Sequence, residues 1–138
     1  MRIGEPVFVD TSAWIALALA ADPFHAAAVE VWRQLEAQGA RLRSSIPIVL
    51  ETYTFLERNY GVATAQAWRD SLRGLPRFST LPVTNADLAA AWPWLERRDL
   101  HKLSAVDATS FAVMRRLKIR RAFAFDHHFA SAGFQVLG

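Results

Sequence analysis

The sequence predicts an α/β domain with a central, mostly parallel sheet covered by helices on both faces, a three-layer α/β/α arrangement. Strand-like and helix-like segments alternate along the chain, which is how parallel strands are joined by crossover helices. The clearest strands, Val7-Phe8-Val9 and Ala122-Phe123-Ala124-Phe125, are continuously apolar rather than alternating, as expected when both faces of a sheet are buried. Proline and glycine occur singly, as at Pro23, Gly39, Pro47, Gly61, Gly74, Pro82 and Gly133, with no linker or low-complexity tract. That is the punctuation of short connections inside one domain, and 138 residues suffice for one.

In chain order, a first strand is expected at 6–9, ending at Asp10. Helices follow at 12–20 and 23–38, the second closed by Gly39. Residues 41–44 read as a short strand. Pro47 opens a helix to Tyr60, since its missing N–H costs nothing in a first turn. A further helix is expected at 62–73, a weakly alternating strand at 78–83, and helices at 85–98 and 105–117, the former with Pro93 placed to bend or split it. Strands at 121–125 and 134–137 complete the pattern.

Composition removes several classes of function. Apolar residues make up 52% and charged residues 21%, which predicts a filled core rather than a disordered chain. There is no cysteine, hence no disulfide, iron–sulfur cluster, thiolate zinc site or cysteine nucleophile. Neither G-x-G-x-x-G nor G-x-x-x-x-G-K-[ST] occurs, so dinucleotide and P-loop cofactors lack their phosphate cradles. The stretch from Ala13 to Ala21 is short for a membrane span, and Glu5 and Asp10 interrupt a signal-peptide pattern, so a cytoplasmic protein without a membrane partner is expected. The net charge is +3, and fourteen of the sixteen basic residues are arginine, the side chain suited to forked contacts with phosphate.

Four carboxylates stand where solvation alone does not explain them. Asp10 ends the first strand and, with Thr11 and Ser12 beside it, also suits a helix N-cap. Asp126 repeats the arrangement after the 122–125 strand. Two strand-end acids in a parallel sheet can converge, because ligands collect beyond the carboxyl ends of the strands. Glu51 is three residues after Ile48 and four before Phe55, on their helical face. Asp107 fits a capping box, Ser104-Ala105-Val106-Asp107, yet it shares a stripe with Phe111 and Met114. Converging carboxylates repel and take up protons unless a cation neutralises them. An all-oxygen cluster suits Mg²⁺ or Mn²⁺, ions that serve phosphodiester hydrolysis by activating water and stabilising the leaving oxygen.

The set Phe8-Val9-Asp10-Thr11-Ser12-Ala13-Trp14-Ile15-Ala16-Leu17, then Glu51, then Leu103-Ser104-Ala105-Val106-Asp107-Ala108, then Phe125-Asp126-His127-His128-Phe129 and Gly133-Phe134, resembles the PIN-domain family. Within it the sequence is most similar to VapC-type toxin ribonucleases of toxin–antitoxin pairs, over essentially the whole chain. The resemblance implies a PIN-like α/β/α fold, a magnesium-dependent endoribonuclease acting as a toxin, an RNA substrate and a cognate antitoxin. It carries the family's four acids onto Asp10, Glu51, Asp107 and Asp126 as catalytic residues and metal ligands. The hydroxyl after the first acid falls on Thr11 or Ser12, placed to orient ligands or substrate. Ala124 stands where many members have threonine, and His127 and His128 where some have a further acid, which leaves one or two ions open.

Around these acids, Arg115, Arg116, Lys118, Arg120 and Arg121 form a run without an acid. It reads as a solvated helix end favoured by the dipole, or as a ridge gripping RNA phosphates with Arg115 and Arg116. Adjacent side chains usually point apart, so His127 and His128 are not expected as a ligand pair; a contact from His128 to substrate phosphate is the functional alternative to packing. The helix 47–60 is apolar nearly all round and suggests a second copy of the chain, or an antitoxin, packed on its spare face. Three rival readings remain: a PIN nuclease of RNA processing outside a toxin pair, a non-catalytic binding module, and an aspartyl-phosphate phosphatase. The phosphatase is disfavoured by Ser12 standing where such enzymes need a second acid.

Overall fold

The computed structural model describes residues 4–138. Its strands are β1 (Pro6–Val9), β2 (Arg41–Ser45), β3 (Phe78–Leu81), β4 (Arg121–Phe123) and β5 (Gln135–Leu137). Its helices are α1 (Thr11–Ala18), α2 (His25–Ala37), α3 (Ile46–Tyr60), α4 (Val62–Arg73), α5 (Asn85–Leu95), α6 (Ala105–Arg116) and α7 (His128–Ser131). All strand pairs are parallel, in the order β3-β2-β1-β4-β5.

That order puts β1 at the centre, and Val7, Phe8 and Val9 are fully buried, which is why this strand is apolar throughout. From β1 the chain steps outward through β2 to β3, then crosses back to β4 on the other side of β1. Right-handed crossovers in opposite directions place helices on opposite faces, and two aromatic clusters reflect this. Trp14 packs against Trp32, Trp68 and Phe78 on one side; Phe111 packs against Trp94, Phe129 and Phe134 on the other. The reversal of strand order lies between β1 and β4, the switch point at which such sheets open a crevice beyond their carboxyl ends.

The helix starts follow capping chemistry. Asp10, Ser45, Thr84 and Ser104 each accept a hydrogen bond from a first-turn N–H of the helix they open. Gly61, at φ 96°, ends α3 and starts α4 in a conformation that side-chain-bearing residues rarely adopt.

Three expectations need correction. Helix α5 continues through Pro93 without splitting and ends at Leu95, three residues before the expected end. Strand β4 ends at Phe123, two residues early, because the Phe125 N–H turns to the Ser12 hydroxyl (2.9 Å) rather than to a neighbouring strand. The short helix α7 lies where no helix was expected. Among the described residues no helix is long and apolar enough to cross a membrane.

Candidate active site

Strand β1 delivers Asp10 to the switch point. Its N–H donates to the Phe123 carbonyl (3.0 Å), extending the β1–β4 ladder by one rung beyond Val9–Phe123. Asp126 follows β4 three residues on, beside the same opening. Asp107 comes from the first turn of α6. Carboxylate oxygens of Asp10, Asp107 and Asp126 lie within 4.8 Å of one another. Glu51 stands at the rim, accepting a hydrogen bond from the Thr11 hydroxyl at 2.6 Å.

Hydroxyl side chains hold this cluster together. The Ser12 hydroxyl donates to Asp10 Oδ2 (2.6 Å) and accepts from the Phe125 N–H, while the Ser12 N–H caps the same Asp10 oxygen at 3.1 Å. One serine thus ties the end of β1 to the turn leading to Asp126. Asp10 is therefore both the helix cap and a member of the acid cluster. Asp107 realises only half of the expected capping box: its N–H donates to Ser104 Oγ (3.0 Å), but its carboxylate does not reach back to the Ser104 N–H. That carboxylate turns to the other acids instead.

Among the described residues, no lysine or arginine pairs with Asp10, Glu51, Asp107 or Asp126. Without counter-charge, burial dominates the titration of Asp10 and Asp107. Burial pushes the Asp10 carboxyl up to about 6 against the pull of its Ser12 hydrogen bonds, with the charge of Asp126 adding to the rise. Asp107 is pushed up to about 8, first by burial, then by the charge of Asp10, and then by its contact with Asp126. The residues fit a divalent ion on chemical grounds: three oxygen donors converge, nothing cationic opposes them, and protons are the only substitute at hand.

Glu51 is less enclosed than its neighbours suggested. The buried residues of α3 are Ile48, Thr52 and Leu56, whereas Phe55 is 38% exposed, so the Glu51 side of the helix faces the rim. His128 departs from expectation too. It is buried, its ring lies 4.3 Å from that of His127 and tilted to it by 38°, and its Nδ1 approaches Asp126 Oδ1 at 2.9 Å. It faces the acids rather than an exposed phosphate track.

Arg115 and Arg116 are not brought to the site. They lie at the far end of α6, some 12 Å along the helix from Asp107 at 1.5 Å per residue. Arg116 forks onto Asp87 (2.7 and 2.9 Å), and Arg115 lies over Trp94 and Phe134 while donating to the Ala132 carbonyl. Arg121 is 2% exposed inside β4, near Glu5, so the expected basic ridge is reduced to Lys118 and Arg120 at the amino end of the sheet. Sequence reasoning missed His101, whose carbonyl oxygen accepts from His128 Nε2 at 2.8 Å. A backbone acceptor leaves no side-chain signal to find.

Comparison with known proteins agrees with this geometry. A family model described as PIN domain matches residues 7–135. The 23S rRNA-specific endonuclease VapC20 of Mycobacterium tuberculosis is 41% identical over 132 residues, covering 93% of this chain and 95% of the relative. Its crystal structure, described as a sarcin–ricin loop cleaving toxin, superposes with a TM-score of 0.82 at 39% identity, over 93% of this chain and 95% of that one. FitAcB from Neisseria gonorrhoeae shares the fold, with a TM-score of 0.70 at 18% identity over 96% of both chains. A likeness of that length and identity leaves one assignment: the chain belongs to the PIN-domain family of metal-dependent nucleases and is an endonuclease of the VapC type.

Proposed function

We propose that Asp10, Asp107 and Asp126 bind the catalytic ion, Mg²⁺ with Mn²⁺ as a competent substitute, and that the chain hydrolyses ribosomal RNA as the toxin of a toxin–antitoxin pair. The convergence of three carboxylates within 4.8 Å carries this reading. The similarity to VapC20, a 23S rRNA-specific endonuclease, supports the substrate class and a cytoplasmic setting among ribosomes. A divalent ion held there supplies a positive charge for the scissile phosphate and lowers the pKa of a coordinated water. Asp10, Asp107 and Asp126 fix the position of that charge. Glu51, held by Thr11, stands at the rim to orient the attacking water or take its proton, a role it shares with Asp126. Ser12 locks Asp10 against the β4 turn, so that two of the donors do not have to be organised when RNA arrives.

The protein partner belongs on α3. Ile46, Leu50, Phe55 and Tyr60 of this helix are 47%, 61%, 38% and 51% exposed. A patch of this kind suits an antitoxin helix or a second copy of the chain.

The test is cleavage of an RNA carrying the 23S sarcin–ricin loop by the purified chain. Cutting is expected with Mg²⁺, none with EDTA, and none by folded Asp10→Asn or Asp126→Asn. Wild-type activity in either variant would overturn the assignment of these residues. A scrambled loop cut equally well would overturn the ribosomal target.

A further inference from the structure

His128 is embedded in the acid cluster, with its side chain only 10% exposed. Its two ring nitrogens have different surroundings. Nε2 lies 2.8 Å from the carbonyl oxygen of His101, which can only accept, so Nε2 carries a proton. Nδ1 is buried and, among the described residues, has no hydrogen-bond partner. It nevertheless lies 2.9 Å from Asp126 Oδ1 and 3.9 Å from Asp107 Oδ2. The shorter approach lacks the alignment of an N–H donor, so it is proximity without a hydrogen bond.

A neutral ring in this tautomer brings an unprotonated nitrogen up against two carboxylates, which is repulsive unless a positive charge is shared among them. Donors about 2.1 Å from one octahedral ion sit about 3 Å apart, close to the separation of Nδ1 from Asp126 Oδ1. The His101 contact completes the pattern, since metal-ligating histidines almost always donate their other ring N–H to a carbonyl or carboxylate. His127 offers a second imidazole next to Asp126, but it is exposed.

Building on the metal-site reading above, we infer that His128 Nδ1 is a further donor to the metal centre at Asp126, the residue that converges both with Asp10 and Asp107 and with the two histidines. The centre is then of mixed nitrogen and oxygen character. Imidazole suits transition ions better than Mg²⁺, so His128 tilts the site toward Mn²⁺.

Electron spin-echo modulation spectroscopy on the Mn²⁺-loaded protein tests this without reference to activity. Wild-type protein should show modulation from a coordinated nitrogen that changes when histidine is labelled with ¹⁵N. It should persist in His127→Gln and vanish in His128→Gln. Calorimetry should show Mn²⁺ bound roughly 10-fold more weakly by His128→Gln while Mg²⁺ affinity changes less, lowering the preference for Mn²⁺. The labelled wild-type protein carries the test even if His128→Gln fails to fold. Bound Mn²⁺ without nitrogen coupling, or coupling lost with His127 instead, would overturn the inference and leave the carboxylate site standing. Failure of the wild type to bind Mn²⁺ at all would overturn both.

Discussion

The starts of α5 and α6 carry the same short pattern, Thr84-Asn85-Ala86-Asp87 and Ser104-Ala105-Val106-Asp107, a hydroxyl cap with an acid three residues later. Both acids are buried, Asp87 at 2% and Asp107 at 8% exposure. Asp87 closes its box, accepting from the Thr84 N–H at 2.9 Å, and takes the forked guanidinium of Arg116. Those contacts, the Arg116 hydrogen bond foremost, pull its carboxyl down to about 2. Asp107 makes only the hydroxyl half of its box and faces acids, and burial with their charge drives it the other way, to about 8. One local motif therefore ends in two electrostatic settings, one where an arginine meets the acid and one where only other acids do.

Mutating the two aspartates should separate these roles. Loss of outer-shell partners at metal sites typically costs 10–100-fold, so Asp107→Asn, which removes a ligand, should lower RNA cleavage by more than about 100-fold. The metal-free fold should become more stable, because position 107 no longer has either to take up a proton or to bury an unpaired charge. Asp87→Asn should do the reverse. It should lower unfolding stability by on the order of 2 kcal/mol through the lost charge-assisted bonds, with Arg116 free to turn to water, and leave activity per folded molecule unchanged. Urea titrations and cleavage assays on both variants read the two effects side by side.

A smaller, opposite pair of effects is expected in the pH dependence of stability. Asp10 and Asp107 have raised carboxyls, so the metal-free native state holds protons that the unfolded chain releases between about pH 4 and pH 8. Stability should fall as pH rises through that window, and saturating Mg²⁺ should flatten the fall. Asp87 is lowered, so its contribution is present above about pH 4 and is lost as pH falls toward 2. Denaturation midpoints from pH 2 to 9, with and without Mg²⁺, show whether the two slopes have these signs.

The comparison also shows what a sequence reveals. Asp10 and Asp126 stood out as a pair, since either acid alone suits a cap or turn but two strand-end acids in a parallel sheet can converge. Glu51 was legible as an acid on the helix, but its depth was not, because the buried stripe through Ile48, Thr52 and Leu56 lies to one side of it. Asp107 read equally as cap and as site, and the structure shows half of a cap, with the carboxylate turned to Asp10 and Asp126. Arg116 and Arg121 were misjudged because their partners, Asp87 and Glu5, are 29 and 116 residues away, beyond any local pattern. The helix α7 spans four residues, too few for a periodicity to show, and with it went the inward aim of His128.

On the proposed reading, a divalent ion displaces the protons that Asp10 and Asp107 hold when metal-free. Titration calorimetry with Mg²⁺ near pH 7, in two buffers of different ionisation enthalpy, measures binding and proton release together. The account predicts saturable binding that releases protons from the wild type, with both signals lost in Asp107→Asn. Identical isotherms for the two proteins, or wild-type binding with no proton released, would contradict it.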